Sequence, residues 1–390
     1  MIYGLSDDTW GREELKAVHN VIDSRLFSIG KHVRQFEEEF ARYFGAKHAV
    51  MSNSGSSANL LMAAALIYSG RLHPGDEVLV TAVSWSTTYF PLAQMGLKLR
   101  FADIDINTLN ADSEILEQAL TKDTKAVMAV NLLGNPNDYA RICQICRKHN
   151  LVLLEDNCES MGAQFQGRMA GTFGLISSFS TYFSHHLCTM EGGMNLTDDE
   201  ELYHYMLSIR SHGWTRHLPE HSPIYTKTGD SFYESFHFIL PGFNVRPLEI
   251  EAAAGIEQLK KLDGFVRQRR ENAAYFMEKI GGLGFQLQTE TGSSSWFGFA
   301  VILPEDEAGN RRKYIRAMET AGIETRPIAA GNFVRQKALQ YMDYSIYGEL
   351  KHADYIHENG FFTGNHSSCM REQIDYLASV LKRSRSSGDA

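Results

Sequence analysis

Short apolar runs alternate with amphipathic segments from about residue 48 onward. The runs read HAVMSN (48–53), EVLVTA, LKLRFAD, KAVMAVN and LVLLED (151–156), and helical patterns separate most of them. Strands that alternate with helices are typical of a mostly parallel sheet covered on both faces. Such sheets bind ligands beyond the carboxyl ends of their strands, so the residues that follow each run are the first candidates for a site.

Helical periodicity surrounds this strand pattern. Phe36, Phe40 and Phe44 recur every four residues, which predicts a helix whose apolar face docks on the core. A further helix is predicted from about residue 56 to 69, directly after the first run. Two more are predicted between residues 247 and 280.

The chain of 390 residues exceeds what a single hydrophobic core usually organises. An apolar run at 294–303 and a helical pattern at 309–321 predict a second, small unit of strands and helices. We therefore predict a large domain over residues 1–250 and a smaller C-terminal α/β domain over residues 251–390.

Composition narrows the classes of function. With 38 Lys and Arg against 47 Asp and Glu, the chain lacks the basic face that nucleic-acid binding requires. No apolar run approaches the ~20 residues of a membrane span, and the acidic start does not resemble a signal peptide. Five scattered cysteines suit a reducing compartment. We expect a cytoplasmic protein that binds neither nucleic acid nor membrane.

The segment SNSGSSANLL (52–61) places Gly55 and Ser56 where a strand meets the N-terminus of a helix. Unpaired backbone N–H groups, the helix dipole and small hydroxyl side chains together favour an anion there. The signal is weak alone, because serine-rich helix N-caps are common and usually bind nothing.

Three acids cluster at the end of the run LVLLED. Glu155 and Asp156 end it, and Glu159 follows three residues later. Carboxylates at the end of a buried strand are costly unless they meet a cation or hydrogen-bond donors. A protonated pyridine nitrogen is one such partner, and an aspartate beside it keeps a cofactor ring electron-withdrawing. A capping role in the next turn would explain one acid more easily than three.

The segment SFSTYFSHHLCTMEGGM (178–194) carries two adjacent histidines, His185 and His186, shortly before a Glu-Gly-Gly. A metal site, a catalytic base and ordinary packing are the candidate interpretations. No further ligand at matching spacing supports a metal site, and the pair Cys143 and Cys146 does not complete a four-ligand set. We expect no bound metal.

Four motifs together resemble a known family. SGSSANL, EDNCESMGA, the S-F-S…EGG segment and GFNVRPLEIEAA (242–253) are similar to those of the vitamin B6-dependent sugar aminotransferases, the DegT/DnrJ/EryC1/StrS group. The resemblance covers nearly the whole chain. It implies the α/β fold of aspartate aminotransferase, fold type I, with pyridoxal 5'-phosphate (PLP) bound to the large domain.

The chain departs from this family at one position. Relatives bind PLP covalently through a lysine six residues ahead of the Glu-Gly-Gly, and His185 stands there in this chain. A histidine at this position is similar to the C-3 dehydratases of nucleotide-linked 4-keto-6-deoxy sugars. One branch of these carries an iron–sulfur cluster on cysteines, several of them downstream of the histidine. No cysteine lies between Cys188 and Cys369, so the chain resembles the cluster-free branch.

This resemblance implies a reaction and its reagents. The reacting cofactor would be pyridoxamine 5'-phosphate (PMP), the amino donor L-glutamate, and the substrate a nucleotide sugar. Imidazole does not tether the cofactor, but with an ordinary pKa near ~6.5 it can accept a proton and return one to a departing hydroxyl. We interpret His185 as that base and His186 as a structural neighbour, because adjacent residues on extended backbone face opposite ways.

Other interpretations remain. An ordinary sugar aminotransferase would require a catalytic lysine, yet the nearest lysines are Lys148 and Lys227. A chain without the lysine could also be a non-catalytic cofactor or sugar binder, although the retained Asp156 and Glu159 argue against it. The nucleotide on the sugar stays open between GDP and CDP.

The resemblance also assigns roles position by position. The cofactor would contact Gly55, Ser56 and Ser180 at its phosphate, Trp85 on its ring face, Asp156 at its ring nitrogen, and Glu159, where relatives often have glutamine, at its ring hydroxyl. Asn244 would reach the phosphate of the second subunit's site, which implies a homodimer with shared active sites. Candidates for the sugar and diphosphate are Ser184, His212, Arg216 and Arg326. Surface ion pairs would explain the two arginines equally well.

Overall fold

The computed structural model describes residues 3–386, and an eight-stranded sheet forms its centre. In spatial order its strands are His48–Ser52, Gly193–Thr197, Ile176–Ser180, Val152–Asp156, Thr124–Val130, Glu77–Thr81, Lys98–Ala102 and Tyr344–Ile346. From Ile176–Ser180 to Tyr344–Ile346 every neighbouring pair is parallel, whereas Gly193–Thr197 runs antiparallel to both of its neighbours. The predicted mostly parallel sheet is confirmed.

Alternate residues of the central strands enter two different hydrophobic clusters. Val78 and Val80 join the cluster that contains Leu61, on the helix Gly55–Tyr68. Leu79, between them, joins a second cluster on the opposite face. Both faces of the sheet are therefore covered, which explains why its strands read as continuous apolar runs.

Helices occupy most of the remaining chain. Before residue 250 they are Arg12–Ser24, Lys31–Phe44, Gly55–Tyr68, Ser86–Gln94, Ser113–Gln118, Tyr139–His149, Glu200–Ile209 and Ser231–Glu234; later ones are Glu249–Leu259, Leu262–Ile280, Arg311–Thr320, Lys351–Asn359 and Arg371–Ser386. Within residues 3–386, none of the helices combines the length and the apolar character that crossing a membrane requires.

The predicted phenylalanine stripe is buried. Phe36, Phe40 and Phe44 lie on one face of the helix Lys31–Phe44 and are almost completely shielded from solvent. The ring of Phe40 lies 5.3 Å from the ring of Phe179 in an edge-to-face contact. Because Phe179 belongs to the strand that ends at Ser180, this helix packs directly against that strand.

The C-terminal part forms a smaller antiparallel sheet. Its strands, in spatial order, are Gln286–Leu287, Gly298–Ile302, Gly360–Gly364 and Thr325–Arg326. The two parts exchange chain segments: Tyr3 packs into the hydrophobic cluster of the small sheet, and Tyr344–Ile346 pairs with Lys98–Ala102 of the large one. The boundary at residue 250 stays a prediction.

A buried ion pair holds the chain where the helix Glu200–Ile209 ends. The Arg210 guanidinium contacts the Glu37 carboxylate, and its Nη1 donates to Met51 O at 2.7 Å. Glu37 Oε1 also accepts from Met51 N at 2.8 Å. Both charged side chains are buried. The pair therefore anchors the start of the segment that carries His212 and Arg216.

We expect Glu37→Gln to lower the free energy of unfolding by about 3–5 kcal/mol, because it leaves the Arg210 guanidinium buried without its counter-charge. Urea denaturation followed by circular dichroism measures the loss. The exposed neighbour Glu38 provides the control, and Glu38→Gln should change the same quantity by less than about 0.5 kcal/mol. Equal effects of the two changes would contradict the structural role of the pair.

Candidate active site

Two glycines allow three elements to meet at the carboxyl end of the sheet. A Cβ on Gly55 would lie 2.7 Å from Ser180 Cβ, and one on Gly193 would collide with the Ser54 carbonyl. A larger residue at either position would push the helix that begins at Gly55 away from the strands. The sequence-predicted residues Gly55 and Ser180 are therefore in direct proximity.

Hydroxyl groups and free amides surround this point. Ser54 caps the helix, and its Oγ accepts from Ser57 N at 3.1 Å. Ser56 Oγ donates to Thr87 Oγ1 at 3.0 Å. Because the first N–H groups of a helix have no intrahelical acceptor, they are available to an anion. This group of hydroxyls and amides at residues 54–57, with Ser180 beside it, is called the anion cup below, and it matches what a phosphate group requires.

Asp156 is buried at the end of its strand and receives three hydrogen bonds. Its Oδ2 accepts from Asn59 Nδ2 at 3.0 Å and from Thr88 Oγ1 at 2.7 Å. Its Oδ1 accepts from Cys158 N at 3.1 Å. These donors offset the burial of the carboxylate. Sequence reasoning missed Asn59 and Thr88. The available signal was a polar residue one helical turn beyond Gly55, on the same face of an otherwise apolar helix.

The neighbouring acid has a different role. Successive residues of a strand face opposite sides of the sheet, and Glu155 accepts hydrogen bonds from Gly171 N and Gly174 N. Burial raises the pKa of Glu155, and these backbone donors oppose the rise. Of the three clustered acids, Glu155 therefore holds a loop, whereas Asp156 and Glu159 remain candidates for the site.

Glu159 is a carboxyl group with a raised pKa. Its Oε2 accepts from Leu133 N at 2.9 Å. Burial raises the pKa of Glu159 to about 7, and the negative charge of Asp156 adds to the rise. A carboxyl group that keeps its proton to near neutrality has an O–H to donate, as the side-chain amide of a glutamine would.

The two histidines lie in a turn, where His185 N donates to Tyr182 O at 2.8 Å. The alternation expected for an extended backbone does not apply in a turn. Both rings contact Phe297, with centroid distances of 5.1 Å for His185 and 5.8 Å for His186.

His186 is tied to the backbone. It is fully buried, and its Nε2 donates to Ser295 O at 3.0 Å, which leaves Nδ1 without a proton. Burial lowers the pKa of His186, and the positive charge of Arg269 lowers it further. A neutral, hydrogen-bonded imidazole fits the structural role predicted for it.

His185 keeps its ring available. Its Nδ1 is buried and has no hydrogen-bond partner among residues 3–386. Burial lowers the pKa of His185 to about 4, and Arg269 contributes to the same shift. This value is lower than the ordinary one that the sequence interpretation used. The imidazole is therefore unprotonated at neutral pH and can accept a proton.

Trp85 and Ser184 border these groups. Trp85 precedes the helix Ser86–Gln94, and 58% of its surface is exposed. Thr87 and Thr88 follow shortly after Trp85 in the chain. Thr87 is bonded to Ser56, and Thr88 is bonded to Asp156. The exposed indole therefore belongs to the same turn of the chain as side chains bonded to Ser56 and to Asp156. Ser184 is half-buried directly before His185.

The predicted substrate residues near 212–216 form a separate aromatic cluster. The His212 ring lies 5.5 Å from the Trp214 ring, and the Arg216 guanidinium lies 5.8 Å from the same indole. Asn244 is exposed, and its Oδ1 accepts from Arg246 Nε at 2.9 Å. The described contacts do not join this cluster to His185.

Arg326 is exposed on the small sheet, where its Nη1 donates to Thr325 O at 2.9 Å. Its strand neighbour is Phe362. The Phe362 ring lies 6.3 Å from the Phe297 ring, which in turn contacts His185. Arg326 is thus a backbone neighbour of Phe362, and no contact described for residues 3–386 joins it to another predicted site residue.

An open cavity of about 600 Å³ lies beside the histidine turn. Trp10, Tyr182, Phe183 and Glu191 are among its lining residues. Trp10 Nε1 donates to Cys188 O at 3.0 Å, which fixes the N-terminal segment against the turn. His185 and the other predicted site residues are not among the residues that line it.

The described residues fit PLP or PMP. The close approach at Gly55 leaves a cradle that a Cβ would fill, and the adjoining hydroxyl and amide groups suit a phosphate. Asp156 would hold a ring nitrogen, and Trp85 offers a flat surface to a ring. The unpartnered Nδ1 of His185 shows that this imidazole is not committed to a protein acceptor or donor.

Comparison with known proteins defines the class. The DegT/DnrJ/EryC1/StrS aminotransferase family matches the chain over residues 8–382. The chain belongs to this family and has its fold-type-I architecture. The GDP-4-keto-6-deoxy-D-mannose 3-dehydratase of Escherichia coli O55:H7 is 52% identical over 385 residues, which are 97% of this chain and 99% of that protein.

Solved structures extend the similarity to the backbone fold. GDP-4-keto-6-deoxymannose-3-dehydratase with a trapped PLP-glutamate geminal diamine has a TM-score of 0.95 and 51% identity, covering 97% of this chain and 100% of that one. A variant of that enzyme with bound GDP-perosamine has a TM-score of 0.96 and 52% identity over the same shares of the two chains.

The raised pKa of Glu159 predicts a pH-dependent stability. The folded protein binds a proton that the unfolded chain releases above its ordinary pKa of 4.5, so stability falls as the pH rises from about 4.5 through 7. This fall in the free energy of unfolding is on the order of 2 kcal/mol, and we expect Glu159→Gln to abolish it. Urea unfolding at about pH 5 and about pH 8.5 measures it. The exposed Glu220→Gln is the control. A Glu159→Gln effect that is equal at both pH values would show that the carboxyl is not proton-bound.

Proposed function

We propose that the chain catalyses the PMP-dependent removal of the C-3 hydroxyl of GDP-4-keto-6-deoxy-D-mannose, with L-glutamate as amino donor. The observation that carries the proposal is the imidazole of His185, whose buried Nδ1 has no hydrogen-bond partner among the described residues, at the position where aminotransferases of the family have a lysine. The product would be a 4-keto-3,6-dideoxy sugar nucleotide of the kind used for colitose in O-antigen. The scattered free cysteines suit a cytoplasmic enzyme.

Each side chain has a defined task in this reaction. When bound, PMP supplies an amine for the sugar ketone and a ring that takes up electrons. Asp156, held by Asn59 and Thr88, keeps the ring nitrogen protonated. The amides at Gly55 and the Ser56 and Ser180 hydroxyls bind the phosphate. The cofactor-binding part would be the domain of residues 1–250.

His185 performs the proton transfers. As a neutral imidazole it accepts the proton that must leave the carbon next to the amine, and it then donates a proton to the departing C-3 hydroxyl. Glu159 donates its O–H to the ring hydroxyl side. Ser184 lies beside the base, where a sugar hydroxyl would pass. His212, Arg216 and Arg326 would contact the sugar and diphosphate, because guanidinium groups suit phosphate oxygens.

The alternatives have less support. An ordinary aminotransferase would need a lysine at the site, whereas Lys148 is exposed and pairs with Glu117. A non-catalytic binder would not need the buried Asp156 with its three donors. A CDP-linked substrate is distinguished from a GDP-linked one only by turnover.

An exposed aromatic surface beside His212 supports a homodimer with shared sites. Phe232 and Phe236 are 88% and 71% exposed, and Phe238 stacks on Trp214 beside His212. Exposed apolar patches of this kind mark interaction surfaces. The patch adjoins the residues that would bind substrate, so a second copy placed there would complete the site, with Asn244 reaching across.

We expect purified protein supplied with PLP and L-glutamate to release 2-oxoglutarate, and to release ammonia once GDP-4-keto-6-deoxy-D-mannose is added. A non-catalytic binder would produce neither. Coupled assays for both products make the measurement. Parallel assays with the CDP-linked 4-keto sugar identify the nucleotide, and faster turnover of that sugar would transfer the proposal to the CDP series.

We expect His185→Asn to lower the dehydration rate by about 10²–10⁴-fold, because proton transfer by a positioned side chain contributes this much. His185→Lys should bind PLP covalently, visible in its absorption spectrum, and should also lose dehydration. The exposed His149→Lys is the matched control and should keep full activity. Survival of dehydration in His185→Lys would contradict the role of the imidazole.

We expect the double change Phe232→Ser and Phe236→Ser to yield monomers in sedimentation experiments, with loss of activity, since both side chains are exposed in the single chain. Tyr341→Ser, at an 84% exposed position elsewhere, serves as the control. A monomeric wild type, or an unchanged dimer in the double variant, would refute the assignment of this surface.

A further inference from the structure

The segment 295–297 is held by three buried side chains in succession. Its consecutive carbonyl oxygens accept hydrogen bonds from His186 Nε2 at 3.0 Å, Asn365 Nδ2 at 2.9 Å and Arg269 Nη1 at 3.2 Å. The middle residue, Trp296, has a φ of 49°, a conformation that costs energy for a side chain of this size. The surrounding hydrogen bonds fix the segment in this shape.

This segment connects the two sides of the candidate site. Phe297 N donates to Leu133 O at 2.9 Å, and Leu133 N donates to Glu159 Oε2 at 2.9 Å. On the other side, the Phe297 ring lies 5.1 Å from the His185 ring. A displacement of Phe297 would therefore alter both the carboxyl group and the imidazole.

Arg269 is the charged member of this arrangement. It lies on the helix Leu262–Ile280 and is only 2% exposed. Its guanidinium donates to the carbonyls of Phe297 and Asn365, and no carboxylate of residues 3–386 forms an ion pair with it. Buried arginines without such a partner are rare.

We propose that Arg269 is a positioning residue for His185: its buried guanidinium holds the Phe297 carbonyl, and with it the Phe297 ring, against the imidazole, and its positive charge acts on that imidazole. The inference rests on the proposed role of His185 and assigns a residue that positions that base. The placement of the charge is independent of the reaction.

Among the groups around His185, Arg269 is the charged group that acts on its pKa. Tyr182 and His186 face it from its own turn, and Phe297 faces it from the opposite segment. After burial, Arg269 is the group that lowers the pKa of His185. Asp7 is the anion that acts on Arg269, and its carboxylate is hydrogen-bonded to Ser367.

The test is a histidine titration of the protein without cofactor. NMR of histidine-labelled protein follows the ring signal of His185, assigned by its disappearance in His185→Asn. We expect Arg269→Met to raise the pKa of His185 by about one unit, because the positive charge is gone. The control is Arg270→Met. Arg270 donates to Ser294 O at 2.8 Å, and its charge acts on His186 but not on His185. This variant should leave the His185 titration unchanged.

Two further variants separate charge from structure. Arg269→Lys keeps the charge without the planar fork, so His185 should continue to titrate near its wild-type value. If Arg269→Met does not fold, as judged by circular dichroism, Asp7→Asn gives the reciprocal test: removing the anion that offsets Arg269 should lower the pKa of His185 further.

An unchanged His185 titration in folded Arg269→Met, or a raised one in Asp7→Asn, would overturn the proposal. Neither outcome depends on turnover, so failure here would leave the dehydratase proposal standing. Conversely, loss of the dehydratase proposal would leave this charge placement intact.

Discussion

A carboxylate buried at the end of a parallel strand must be given donors, and this constraint organises the site. Asp156 obtains them from Asn59 on one helix, Thr88 on another and Cys158 N on the following turn. To supply these donors, both helices must begin close to the strand end. The same placement brings the free amides at Gly55 and the indole of Trp85 to one edge of the sheet. The anion cup, the ring surface and the acid are therefore consequences of a single buried charge.

The exchange of lysine for histidine changes how the remaining parts must work. A lysine would hold the cofactor by a covalent bond, so its position would be enforced by that bond. With an imidazole, the cofactor would be held without a covalent bond, by the phosphate contacts, stacking, Asp156 and Glu159 proposed above. Precise placement of His185 then depends on packing, which the Phe297 ring and the hydrogen bonds of segment 295–297 provide.

Much of the fold follows from local patterns, and much of the site does not. The strand Val152–Asp156 was predictable because burial on both faces leaves a continuous apolar run. The helix Lys31–Phe44 was predictable because burial on one face leaves apolar residues at helical spacing. The strand Tyr344–Ile346 was not predicted, since two of its three residues are exposed. Arg269 and Phe297 were also missed: they meet His185 only through tertiary contacts, across long stretches of chain with no pattern that links them.

The short strand Tyr344–Ile346 has a consequence for the integrity of the whole molecule. It occupies the hydrogen-bonding border of Lys98–Ala102, whose amides and carbonyls would otherwise stand open to any extended peptide. This strand is short and carries a serine in its middle, so it is itself a poor template for a further strand. The C-terminal region thus protects the central sheet from edge-to-edge association. A polypeptide that ended before residue 344 would expose this edge of the sheet and would be prone to aggregate.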